Sequence, residues 1–133
     1  MGYIKERMTQ VFSQRPLNPY AFTSDNEVLP YVVVMDCTST TASAFSYTLK
    51  EAVRVIDVVA YPIATVTSEV ITLKDDDGNA ISSALDISTA SAVARTTVID
   101  TANWDEIKSN ALTATQSSIA GSCWLFVKVI PKK

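Results

Sequence analysis

From Tyr31 onward the sequence is cut into short runs rich in β-branched and aromatic residues, each closed by small polar residues, Gly or Pro. Such runs read as β-strands, because branched and aromatic side chains fit a pleated surface and turn residues interrupt the ladder. Tyr31 to Cys37 opens the series. Phe45, Tyr47 and Leu49 alternate with Ser46 and Thr48, the pattern of a half-buried strand. Val53 to Tyr61 is longer and more apolar, and Pro62 ends it, while Thr65 to Lys74 alternates again. Asp75-Asp76-Asp77-Gly78-Asn79 then gives a hairpin signal, since Gly accepts positive φ and Asp tolerates it. Ala80 to Ile87 is the expected return strand and Ala94 to Ile99 another. Asn103 to Asn110, with Trp104 and Ile107, reads as one helical turn or an irregular crossing. Ala111 to Gln116 and Ser122 to Ile130 form the last pair, joined through Ile119-Ala120-Gly121. The run from Trp124 to Ile130 is the most apolar, which suits a strand buried centrally, and Trp124 within it is assigned to the core or to an interface.

About eight strands at regular spacing, with no amphipathic segment of helix length between them, exclude a βαβ arrangement. The expected fold is an all-β antiparallel sandwich, with the jelly roll favoured over the immunoglobulin-like form.

Residues 1–30 differ from the rest. Pro16, Pro19 and Pro30 fix φ and remove backbone donors, so long regular structure is not expected after Gln14. Ile4, Met8, Val11 and Phe12 fall near helical spacing, which allows a short helix from Ile4 to Ser13. The segment as a whole reads as an extended arm, with residues 31–133 as the sandwich domain. Its apolar and aromatic residues Tyr3, Ile4, Met8, Phe12, Tyr20 and Phe22 are the candidate partner-binding set, since a solvated tail has no need of them. A tail folded back on its own domain is the other reading.

Composition narrows the function classes. The chain has 133 residues, of which 47% are apolar and 19% charged. A domain of this size buries roughly two thirds of its unfolded surface, so it needs no metal or disulfide to hold a core. The 11 basic residues are scattered and the net charge is −3, so no basic stripe exists for phosphates and nucleic acid is not an expected ligand. There is no histidine, which rules out Ser-His-Asp and Cys-His catalysis. Three glycines leave no Gly-rich phosphate loop, and no local signature marks a Ser-Lys or paired-carboxylate site. Neither enzymatic activity nor a cofactor is expected. The opening Met-Gly-Tyr-Ile-Lys-Glu-Arg is charged where a signal peptide needs an apolar stretch, and Glu6 breaks the myristoylation pattern. No apolar run reaches membrane-spanning length, so a soluble, cytoplasmically made protein with no membrane partner is expected.

Three smaller features have two readings each. Asp75, Asp76 and Asp77 offer oxygens to a hard cation, yet they lack the EF-hand pattern, and a solvated hairpin tip is the expected state. Trp104 and Trp124 offer a sugar-stacking platform, with Trp104 in a polar connection as the candidate exposed aromatic. Cys37 and Cys123 read as buried free thiols on strands, with a disulfide left open. Finally, outward strand positions are Thr, Ser, Ala or Val more often than charged, which lets such surfaces pack on copies of themselves without stranding charge. Homo-oligomerisation follows as an expectation.

The stretch from Ala52 to Ile130 resembles the small β-sandwich structural proteins of tailed-phage virions. The likeness lies in its order of features. Thr65-Val-Thr-Ser-Glu-Val-Ile-Thr-Leu-Lys runs into the Asp-Gly turn, and a Ser/Thr/Ala-rich stretch follows from Ile81 to Ala94. Thr97 to Asp100 comes next, then Ala-Leu-Thr-Ala-Thr, a Gly and an apolar terminal strand. It is a likeness of texture, closest to capsid decoration (cement) proteins and head-fibre domains. It implies a virion location, a major capsid protein or another virion protein as partner, a trimer as the favoured oligomer, and residues 1–30 as a capsid-binding arm. A neck or tail component of the virion, or a carbohydrate-binding module, are the alternatives.

Overall fold

The computed structural model describes residues 29–132. Within them the chain forms nine strands and no helix. They are β1 (Tyr31–Cys37), β2 (Ala44–Thr48), β3 (Val53–Pro62), β4 (Val70–Lys74) and β5 (Leu85–Asp86), then β6 (Ala94–Arg95), β7 (Asp105–Glu106), β8 (Ala111–Gln116) and β9 (Cys123–Pro131). The arm candidates Tyr3, Ile4, Met8, Phe12, Tyr20 and Phe22 lie outside the described residues.

Two antiparallel sheets face each other. The first has the order β1-β9-β3-β6, with β7 also paired to β3; the second has the order β2-β8-β4-β5. Setting the two-residue β7 aside, this is the jelly-roll arrangement. The chain crosses between the sheets after β1, β2, β3, β5, β7 and β8, so most neighbours in sequence are not neighbours in a ladder.

The core lies between the sheets. Val33, Met35, Val55, Val58, Leu125 and Val127 point inward from the first, and Ile71, Leu73, Leu112 and Ala114 from the second. Each comes from the inward set of an alternating strand, as period-two geometry requires. β3 breaks the rule at one place. Val55 pairs with Val129 and Asp57 with Lys128, so Ile56 is an inserted bulge residue. That one residue turns Val58 and Ala60 inward and Val59 and Tyr61 outward.

Several expected boundaries shift. Only Val70–Lys74 of the Thr65 to Lys74 run is strand, and Ser68 has a φ of 51° just before it. The return strand after the Asp-Gly turn is interrupted, with a bridge from Lys74 to Ala80 and a short ladder at Leu85–Asp86. Ser82 instead bridges to Ile99, reaching toward the other sheet's connection. The crossing at Asn103 to Asn110 is a turn containing β7. Ala111–Gln116 and Cys123–Pro131 are not a ladder pair, because β8 and β9 lie in different sheets and the Gly121 turn carries the chain across.

Candidate protein-association face

The two sheets present opposite chemistry on their outer surfaces. On the second sheet the outward row of β8 is Ala111, Thr113 and Thr115, flanked by Ser46 and Ala44 on β2 and by Thr72 and Lys74 on β4. Val70 of β4, 37% exposed, also lies on this side, which is otherwise polar or small. On the first sheet three cross-strand rows stand side by side. Asp36, Trp124 and Tyr61 make the first, Val34, Phe126 and Val59 the second, and Val32, Lys128 and Asp57 the third. Val32 is 50% exposed, Val34 47%, Tyr61 38% and Phe126 36%. Trp124 and Val59 are half-buried among them. Contiguous apolar surface of this kind makes the face the candidate interaction site.

The face is rimmed by charge. Arg95 of β6 holds both oxygens of Asp57, with Nε 3.2 and 2.9 Å away, and its Nη2 also bonds Oδ2. The Arg95 guanidinium keeps the Asp57 carboxyl below its ordinary range. At the other end of β3, Arg54 makes a fork with Asp105 at 2.7 and 3.1 Å, and Lys132 adds a third contact at 2.8 Å. The Arg54 and Lys132 cations draw Asp105 down to about 2.

The final strand is central in its sheet, between β1 and β3, as its apolar run implied. It is buried on one side only. Trp124 is not core but stands on the outer face beside Phe126. The sequence carried a signal for this: Lys128 shares strand parity with Trp124 and Phe126, and Asp36 with Val32 and Val34. One charged residue in an apolar strand marks which parity faces outward.

Trp104 is placed differently from the expectation. It is half-buried against the core, and the Arg54 guanidinium carbon lies 4.3 Å from its ring centroid. One stacking surface is therefore already occupied by a cation. Trp104 sits by Arg54 and Trp124 by Tyr61, at opposite ends of β3, so strand rise separates them by roughly 20 Å. They do not form one sugar platform.

The acidic hairpin is also less solvated than expected. Asp75 is 7% exposed, and its carboxylate accepts from Asp77 N at 3.0 Å, Asn79 N at 2.7 Å and Asn79 Nδ2 at 3.2 Å. Asp76 accepts from Ala111 N at 3.0 Å. These carboxylates close the turn and pin it to β8, and only Asp77 remains a tip residue. Among the described residues no group of three or more Cys, Asp or Glu is arranged to hold a metal ion.

A shallow depression of about 430 Å³ is lined by Ser68, Glu69, Val70, Asp86 and Ser88. Its carboxylates are engaged locally. Both Glu69 oxygens accept from Ser118, at 2.7 and 2.8 Å, and Asp86 accepts from Ser88 N at 2.9 Å. Of these three features, the apolar face is the one left exposed among the described residues. No protein-family model, no curated protein and no solved structure matches this chain.

Proposed function

We propose that the chain is a structural, non-catalytic protein that acts by binding protein surfaces, and that it binds and stabilises an assembled phage capsid as a decoration (cement) protein. The observation that carries the binding role is the apolar outer face of the first sheet, set against the polar outer face of the second. The virion setting is supported by the resemblance of residues 52–130 to tailed-phage sandwich proteins and by the apolar and aromatic content of residues 1–30.

The mechanism is linkage. A protein that binds the assembled shell but not free subunits stabilises the shell by about 2.7 kcal/mol per site once its concentration is a hundredfold above Kd. Several copies joined as an oligomer add avidity without strong single contacts. The partner is the major capsid protein or another virion protein, and no cofactor takes part.

The test is co-sedimentation of the chain with assembled shells and, separately, with unassembled capsid subunits. The expected result is binding to shells alone, weakened by removal of residues 1–30, and by Phe126→Ser through loss of association between copies and of the avidity it brings. Equal binding to free subunits would overturn the stabilising role. Undiminished binding without residues 1–30 would remove the arm from it. A single ring's worth of copies per particle would move the protein to the neck or tail.

A further inference from the structure

The outer face of the first sheet carries its charge asymmetrically. Asp36 stands in the row of Trp124 at one end, and Lys128 in the row of Val32 at the other. Thr38 donates its N–H and hydroxyl to one Asp36 oxygen, at 3.0 and 2.5 Å. The neighbour of Lys128 across the ladder, Asp57, is already held by Arg95. Neither Asp36 nor Lys128 makes an ion pair among the described residues. Between them lies the uncharged row Val34, Phe126, Val59.

Covering this face with a purely apolar surface would strand a carboxylate and an ammonium. The complementary surface has an apolar middle, a cation opposite Asp36 and an anion near Lys128. The face itself, turned end for end, has that pattern. A twofold axis lying in the interface and running across the strands sets Phe126 on Phe126. It also brings the Lys128 row of each copy over the Asp36 and Trp124 row of the other. Facing sheets lie about 10 Å apart and adjacent strands about 4.8 Å, a gap that the four-carbon stem of Lys128 bridges. There the ammonium meets a carboxylate and an indole face, both favourable to it. An axis running along the strands would instead set Lys128 on Lys128.

We propose that two copies of this chain associate face to face through the first sheet, with Phe126 at the centre and two symmetric Asp36–Lys128 pairs at the ends. This rests on reading the apolar face as an association surface, and it names a second copy as the occupant. The twofold makes the contact isologous and closed. It differs from the trimer that the family resemblance implies.

The test is sedimentation equilibrium of the full chain and its variants, with far-UV circular dichroism and thermal melts to confirm folding. The wild type is expected to be a dimer. Asp36→Lys and Lys128→Asp should each weaken the dimer by at least about tenfold, because each sets like charges in contact. The double variant D36K/K128D restores opposite charges and should recover most of that loss. Phe126→Asp should give a folded monomer. A monomeric wild type overturns the proposal, whether residues 1–28 or another protein then cover the face, and so does a trimer. Single variants without effect, or a double variant no better than the singles, overturn the end-for-end arrangement. A monomer that still co-sediments with shells overturns the dimer alone and leaves the shell-binding role standing.

Discussion

Cys37 and Cys123 stand directly opposite each other where the ladder between β1 and β9 ends, and both are fully buried. They are free thiols separated by most of the domain in sequence and brought together by the jelly-roll order. Hydrogen bonding toward Cys123, and then burial, pushes the Cys37 thiol up. The same hydrogen bond lowers Cys123, so what keeps both thiols inert is their enclosure rather than their protonation. Neither cysteine should react with Ellman's reagent in the native protein at pH 8, and both should titrate in denaturant. Native labelling should occur only at the rate of local opening. Rapid native reaction of either thiol would contradict the closed end of this ladder.

Gly121 and Gly78 should respond to alanine for different reasons. A Cβ on Gly121 would lie 2.6 Å from Glu69 Cγ, 2.8 Å from Ile87 Cδ1 and 2.9 Å from Gln116 Oε1. Those atoms are buried at the point where the chain crosses from β8 to β9, so they have little room to yield. Gly121→Ala should cost about 1–3 kcal/mol by overpacking. Gly78 has open space around it but a φ of +88°. Gly78→Ala should cost about 1 kcal/mol from backbone strain alone. Urea unfolding separates the two cases. Asn at position 78 should recover part of the loss, because Asn tolerates this region, whereas Asn at position 121 should be worse than Ala.

These positions also mark what the sequence made legible. Strands β1, β2, β3, β8 and β9 were readable because local composition and alternation decide them. The pairing of β8 with β2 and β4, and of β9 with β1 and β3, was not readable. Ladder partners here are set by burial across the two sheets, which no short window contains. The bulge at Ile56 was missed although Arg54 and Asp57, both on the outward side, stand three residues apart, an odd spacing that strict alternation does not allow. The association face was missed for a different reason. Its parity was marked by Lys128 and Asp36, but the apolar run of β9 read as buried on both sides. The roles of Asp75 and Asp76 as turn-closing acceptors depend on where Asn79 and Ala111 return, and that is tertiary information.

Trp104 joins packing and charge at the far end of β3. Its ring packs against the core under Arg54, and its carbonyl accepts from Val55 N at 2.9 Å. Truncation removes the half-buried ring and the cation–π contact while leaving the backbone bond. Trp104→Ala should cost about 2 kcal/mol, less than a fully buried Trp, and Trp104→Phe less than half of that. Chemical unfolding followed by far-UV circular dichroism gives the values. A near-neutral Trp104→Ala would show that the ring contributes no packing.

Asp105 and Glu106 are adjacent in β7 and shift in opposite directions, so their variants should carry opposite pH signatures. Asp105 is drawn from 3.8 to about 2, first by the hydrogen bond from Arg54 and then with help from Lys132. A lowered folded pKa means stability that is full above about pH 4 and is lost as pH falls toward about 2. Because the Asp105 side chain is 38% exposed, solvent screens the pair. Asp105→Asn should therefore cost only about 1 kcal/mol at pH 7, and the cost should vanish near pH 2. Glu106 is 6% exposed, and burial first, then the nearby Asp75 and Asp76 charges, raise its carboxyl. A raised carboxyl pKa favours the protonated form in the fold, so the ionised form lowers stability above the folded pKa. That penalty is relieved as pH falls through it. Glu106→Gln keeps the shape and an acceptor for Asn110 Nδ2, which lies 3.2 Å from Glu106 Oε1, and removes the charge. Its melting temperature relative to wild type should thus be higher at pH 7 than at pH 4, the reverse of the trend for a residue held by cations. Thermal melts of both variants from pH 2 to pH 8 decide the matter, and parallel pH profiles for the two would refute the opposed environments of these neighbours.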